Sequence, residues 1–333
     1  MTAVGPPVVA GSSPKVFWSR RWRRRNLTFD RISFFVVFLI VPVVGYIAFV
    51  VSPFAQAAYF SLTNWSGFTS DMAFVGLANY AKLFADATFL KAMANSIILA
   101  IVLPVVTLTI ALVFASLVTV GGVSHGNVRG LRHSSFYRVI SFFPYVIPAI
   151  VIGLIWSQVY DPSSGLLNGA LTAAGLDQFT SFAWLGDLNT ARIAVMFVIV
   201  WGSVGFYMVL FIAAIKGVPA EIYEAARIDG AGRFRTTVAI TVPLIQDNVQ
   251  TAFIYMGILA LDAFVYVAAL EPGGGPSNTT LVMSQQLFTT AFAKGQFGYA
   301  CAMGVMLAAI TLAYAALVFA VNRLTGGRNE VGE

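Results

Sequence analysis

Apolar residues in this chain come in long unbroken runs, with neither strand-like alternation nor the narrow stripe of a surface helix. Runs of roughly the 20 residues that cross a bilayer fall at Ile32 to Val51, Asn95 to Val120, Phe136 to Val159, Ala191 to Ile215, Leu244 to Ala269 and Tyr299 to Val321. They predict an all-α integral membrane protein with six transmembrane helices. Pro42, Pro104, Pro144 and Pro148 interrupt the runs, which is tolerated where neighbouring helices satisfy the freed carbonyls. The "AQA" at Ala55 to Ala57 resembles a signal-peptidase site, but the run before it is long and follows an extended tail, so an uncleaved helix is expected. The predicted layout is a mobile basic cytoplasmic tail at 1–28, a first transmembrane helix with an outer segment at 29–93, a core at 94–323 with a cytoplasmic loop at 216–243, and a cytoplasmic tail at 324–333.

Composition agrees: 58% hydrophobic and 10% charged residues leave more apolar surface than one water-soluble core can bury. Charge then orients the chain. The net charge of +6 is no nucleic-acid signal, because Arg20, Arg21, Arg23, Arg24 and Arg25 abut the first apolar run as a cytoplasmic anchor beside anionic membrane lipid does. With the N-terminus inside, all of the 20 Lys and Arg residues except Lys82, Lys91, Arg192 and Lys294 fall on the cytoplasmic side. That asymmetry puts both termini in the cytoplasm. Cys301, His125 and His133 offer no multi-ligand metal set, and no metal site is expected.

One cytoplasmic stretch is unusually polar: "EIYEAARIDGAGRFRTTVAITVPLI", Glu221 to Ile245. Pro219 reads as a helix start, with Glu221 and Glu224 favouring the positive end of its dipole. Ile222, Ala225, Ala226 and Asp229 follow at spacings of three and four, giving a small-residue side for close approach of another protein. Gly230 permits a turn that a Cβ resists. The residues alone also suit a plain connector between two spans. Glu224-Ala225-Ala226, three residues, Gly230, nine residues, Ile240, one residue, Val242 and Pro243 match the "EAA, x3, G, x9, I-x-L-P" loop of binding-protein-dependent ABC importer permeases, with Val242 in place of leucine. "FFPYVIPAIVIGLIWSQVYDPSSGLLN", "GVPAEIYEAARIDGA" and "GYACAMGVML" extend the resemblance to the maltose-type sugar permeases over about residues 50 to 323.

That resemblance implies a MetI-like core of five helices preceded by an N-terminal helix, in a bacterial or archaeal cytoplasmic (inner) membrane. It implies a second homologous permease, two cytoplasmic ATPases and an extracytoplasmic sugar-binding protein, soluble or lipoprotein. Glu221, Ile222, Glu224, Ala225, Ala226, Asp229 and Gly230 then couple to an ATPase. ATP and Mg belong to that partner: none of Lys15, Lys82, Lys91, Lys216 and Lys294 follows a glycine, so there is no Gly-Lys-Ser/Thr phosphate loop. The chain itself is expected to hold no cofactor and to be no enzyme.

A sugar needs hydroxyl partners and an aromatic face, pointed into the bundle. Tyr255, Leu259, Asp262 and Tyr266 share one helical face if the fifth span is continuous, with Met256 beside them. Asp262 is the carboxylate well inside a predicted span, and the pattern suits either a pathway residue or a side chain reaching the outer interface. Trp201, Gly202, Ser203, Phe206 and Tyr207 correspond by resemblance to a segment lining the family's sugar site. An alternative is an ion-coupled secondary transporter working through Asp262. A membrane-embedded enzyme would need a clustered acid, base or metal set, whereas the polar residues are scattered.

Overall fold

The computed structural model describes residues 33–69, 71–119 and 134–326. The basic tail at 1–28, the loop with His125 and His133, and the end of the C-terminal tail lie outside these residues. The chain divides into two units, Met1–Phe54 and Ala55–Glu333, so the outer segment that follows the first helix belongs to the second unit.

The first unit's described part is helix α1, Ser33–Phe60, as far as Phe54. Two of its turns are π turns, Val36–Ile40 and Ile47–Val51, and each stands just before a proline, Pro42 or Pro53. A proline ring clashes with the carbonyl four residues back. Widening that turn moves the carbonyl aside, and the residue before the proline bonds five back instead, Val41 to Val36 and Ser52 to Ile47.

Among its described residues the second unit is helical, apart from loops and one isolated antiparallel bridge between Thr63 and Phe74. Its elements are α2 (Ala78–Ala85), α3 (Ala87–Thr119), α4 (Ser134–Val146), α5 (Ala149–Val159), α6 (Leu166–Ala173), α7 (Ala191–Gly217), α8 (Ala220–Ile228), α9 (residues 233–244), α10 (Gln246–Leu261), α11 (Phe264–Leu270), α12 (Met283–Phe288) and α13 (Phe297–Gly326). In the centre α3 packs on α7 and α10, with α4 on α7, α5 on α11 and α10 on α13. Leu99, Leu103, Val195, Ile199, Phe211, Met256 and Leu261 form the buried seam.

Among the described residues, four helices are long and apolar enough to cross a membrane: α1, α3, α7 and α13. The other two predicted spans are not straight rods. The run expected over Phe136 to Val159 is the pair α4–α5, bent by 96°. Pro148 lacks an N–H and pushes Ile147 out of the helical region, and it starts α5 as an extended cap at φ −54°, ψ 136°. The run expected over Leu244 to Ala269 is the pair α10–α11, bent by 44° at Asp262 and Ala263. Asp262 leaves the helix at φ −109°, ψ 50°, so the single continuous face expected from Tyr255 to Tyr266 does not exist.

Candidate functional sites in the helix bundle and on helix α8

Helix α8 begins after Pro219, which caps it in extended geometry, and ends in a glycine-dependent motif. The Ala231 N–H donates to the Ala226 carbonyl at 2.9 Å and the Gly230 N–H to that of Arg227 at 3.1 Å. This Schellman pairing needs a left-handed residue, and Gly230 supplies it at φ +73°. A Cβ built there meets nothing within 4 Å, so the backbone angle, not space, demands glycine.

The small-residue side of α8 divides between two directions. Ala226 and Tyr223 turn inward and are buried, with the Thr241 hydroxyl of α9 donating to the Tyr223 phenol at 3.4 Å. Ala225, Glu221, Glu224, Asp229 and Gly230 are exposed, and Ile222 is half-buried. Glu224 pairs with Arg227 at 4.0 Å, an exposed contact worth little. Two large apolar side chains join the outer face, Ile228 at 87% and Phe234 at 82% exposure. The sequence motif carries neither, nor Tyr223 as the inward anchor.

In the membrane, the five α7 residues point in different directions. Trp201 meets Trp156 of α5 edge to face, centroids 5.5 Å apart. Gly202 makes room for α11: a Cβ there would stand 3.0 Å from the Tyr266 hydroxyl and 3.3 Å from Ile152 Cδ1. Ser203, buried at 1% exposure, lies beside Tyr266. Tyr207 is buried. Phe206 stacks on Tyr145 of α4 with centroids 4.7 Å apart and planes at 23°.

That stack depends on Gly205, one residue earlier. A Cβ on Gly205 would sit only 1.8 Å from the Ser141 carbonyl oxygen, so α4 and α7 touch backbone to backbone one turn before Tyr145. The spacing of Gly202 and Gly205 in "WGSVGF" was the available signal for a close helix contact.

On the broken fifth span the residues also separate. Met256 is buried and Leu259 half-buried, while Tyr255 is 65% exposed. Asp262 lies exposed at the break with the Ser284 side chain beside it. Tyr266, half-buried beyond the break, faces α7. The structure therefore brings Tyr266 to Gly202, while Phe206 meets Tyr145, Trp201 meets Trp156 and Tyr255 is exposed.

The loop 271–282 is clamped. Asn95 of α3 donates to the carbonyls of Asn278 and Leu281 at 2.9 and 2.8 Å, and accepts from Arg192 at 2.9 Å. Arg192 also donates to the Thr279 carbonyl at 3.2 Å, and Lys91 to that of Ser277 at 2.5 Å. Burial raises the pKa of Glu271 at the loop's start. On the turn after α5, Asp161 accepts from the Ser163 and Ser164 hydroxyls and amides. These bonds, led by that of the Ser163 hydroxyl, hold its pKa down at about 2.

A bundle of apolar helices, two of them broken around hydroxyl and aromatic side chains, and a capped helix α8 with an exposed face fit a membrane transport subunit. Residues 118–326 match the family described as the binding-protein-dependent transport system inner membrane component, and the chain belongs to that family. It is a multi-pass permease component, and the ion-coupled alternative is set aside. The chain is 65% identical to the diacetylchitobiose uptake system permease protein NgcF of Streptomyces coelicolor, over 92% of this chain and 87% of that one. It is 33% identical to the multiple sugar-binding transport system permease protein MsmF of Streptococcus mutans, over 81% of this chain and 88% of that one. A chain of the bacterial alginate ABC transporter solved with an alginate pentasaccharide-bound periplasmic protein shares the fold, with a TM-score of 0.75 over 89% of this chain and 96% of that one at 19% identity.

Proposed function

We propose that this chain is the permease subunit of an ATP-driven importer for a short N-acetylated amino-sugar oligosaccharide, with diacetylchitobiose as the reference substrate. The observation that carries the substrate is the 65% identity with a diacetylchitobiose uptake permease over 92% of the chain. In this reading a second homologous permease completes the pathway, an extracytoplasmic sugar-binding protein delivers the sugar, and two cytoplasmic ATPases bind ATP and Mg.

The geometry supports a division of labour. On α8, the exposed Glu221, Glu224, Ala225, Ile228 and Asp229 are the surface for an ATPase cleft, while Tyr223 and Ala226 tie the same helix to α9. Displacement of α8 then passes through α9 into α10. Within the membrane, Gly202 lets Tyr266 reach Ser203, giving a hydroxyl pair beside the aromatic Phe206, and Asp262 stands at the helix break as a polar group on the same path. The basic-residue asymmetry supports cytoplasmic termini on the side of α8.

The test is uptake of labelled diacetylchitobiose by the native cells with and without this gene. Uptake is expected to vanish on deletion, to return with the intact gene, and to stop when ATP is depleted with the ion gradients clamped. Unchanged uptake in the deletion strain would refute the substrate, and uptake surviving ATP depletion would refute the ATP-driven class. Asp262→Ala is expected to lower uptake while the permease still co-purifies with its ATPase.

A further inference from the structure

Helices α3 and α13 both pack on α10, and between them runs a trough of about 740 Å³. Its floor is held in shape by one aromatic pair. The Tyr314 ring stacks on Phe253 with planes at 13°, and its hydroxyl donates to the Phe253 carbonyl at 3.1 Å. A Cβ on Gly257 would stand 2.1 Å from that ring, so the glycine is what admits it. Leu261 and Ala100, both buried, line the trough at one end, while Ile101 and Leu317 along its rim are exposed.

Apart from the engaged Tyr314 hydroxyl, the polar lining is confined to the other end: Gln246, Gln250 and Asn322, with the Asn322 amide donating to the Gln250 side-chain oxygen. The single charged residue of each helix, Asp247 in α10 and Arg323 in α13, is the next in sequence to this end, and such side chains at helix ends mark where hydrocarbon gives way to headgroups. From Ile310 to Asn322 the trough follows α13 for about 18 Å, close to the depth of one leaflet, about 15 Å or half of the hydrocarbon core. Water has no place along the apolar walls, which offer it no hydrogen bonds.

We propose that this trough is a binding site for a resident phospholipid of the leaflet on the side of α8. One acyl chain lies between α3 and α13 on the Phe253–Tyr314 floor, and its ester and phosphate oxygens accept hydrogen bonds from the amides of Gln246 and Gln250. A phospholipid matches the trough in two respects at once, an apolar tail one leaflet long and acceptor oxygens at one end only. Val242 of α9 also lines the trough, so the lipid touches the segment that joins α8 to α10. The site does not depend on which sugar the chain carries.

The experiment places the photo-reactive residue p-benzoylphenylalanine at Leu317, in the trough, or at Leu312, exposed on α13 outside it, in the full chain made in its native cells. Each protein is illuminated twice, once in the membrane and once after purification with its bound subunits in lipid-free detergent, and the adducts are identified by mass. Bulk lipid is stripped by the detergent, so position 312 is expected to capture phospholipid in the membrane and detergent alone after purification. Position 317 is expected to capture phospholipid in both. Ala313→Trp, which fills the trough, is expected to lower the phospholipid adduct at 317 after purification on the order of tenfold; where it lowers the amount of protein, the comparison of 317 with 312 in the otherwise unaltered chain decides. Detergent alone at 317 after purification would overturn the site, as would an adduct undiminished by a correctly inserted Ala313→Trp. A protein adduct at 317 in the membrane would overturn it in favour of a helix of a neighbouring subunit.

Discussion

Asn95 is a buried polar side chain that pins the loop 271–282 to α3. It is buried at 3% exposure, donates both amide protons to the carbonyls of Asn278 and Leu281, and accepts from Arg192. Asn95→Ala removes three hydrogen bonds and leaves two loop carbonyls unpaired. At about 1 kcal/mol per bond, local opening of the loop becomes easier by about 3 kcal/mol, a factor on the order of a hundred. The cost falls on the loop, because the apolar seam of α3 is untouched. Hydrogen exchange at the Asn278, Thr279 and Thr280 amides, bonded to Gly275, Pro276 and Gly274, is the direct assay. These amides are expected to exchange on the order of a hundredfold faster while amides in the middle of α3 and α7 keep their protection. Unchanged exchange at those three positions would falsify the clamp, and uniform acceleration across α3 would show that Asn95 supports the bundle and not the loop.

At the end of α8, Gly230→Val is expected to cost about 1 to 3 kcal/mol in backbone strain, and Gly230→Asn distinctly less; uptake and ATPase co-purification are expected to follow the same order, and equal effects would refute the left-handed turn as the cause. Ala225→Leu is expected to leave thermal stability unchanged and weaken ATPase co-purification, whereas Ala226→Leu, facing inward, is expected to lower stability by about 1 to 3 kcal/mol through overpacking; the reverse pattern would exchange the two faces. Gly205→Val is expected to force α4 away from α7 and separate Tyr145 from Phe206, read as a fall in thermal stability together with lost uptake; a variant with normal values of both would refute the backbone contact. The Asp161 carboxylate has a depressed folded-state pKa, so its stabilisation of the turn is present above the ordinary value of 3.8 and is lost as pH falls toward about 2; an NMR titration of the Ser163 and Ser164 amides checks this, and a midpoint at or above the ordinary value would refute it.

The helices and the motif of α8 were legible in the sequence for different reasons. Runs such as Ala191 to Ile215 announce themselves because a membrane span must be apolar over its full length, and Pro219 with Gly230 marked both ends of α8 because each residue has a restricted backbone role. The breaks were not legible. Pro104 sits inside the unbroken α3 while Pro148 ends a helix, and no local rule separates the two without knowing which neighbours accept the freed carbonyls. Asp262 looked like one position on a continuous face because the departure from helical geometry there has no proline or glycine to betray it. Directions were the other loss: the spacing of Ala225 and Ala226 says they are adjacent, and only the packing of Tyr223 against Thr241 says which of them faces in. The α7 segment likewise mixes residues that meet α4, α5 and α11.

The π turn before Pro42 and Pro53 recurs in α9, where Thr237–Thr241 precedes Pro243 and the Val242 N–H bonds to Thr237. Each such turn holds one residue more than an α turn needs. Losing a single residue there, together with its proline, would let the helix close into ordinary α geometry while the side chains above and below kept their directions. A one-residue deletion in the middle of α7 would instead rotate everything beyond it by about 100° and turn Phe206 away from Tyr145. These three turns are therefore places where chain length can drift between relatives without disturbing the helix faces on either side.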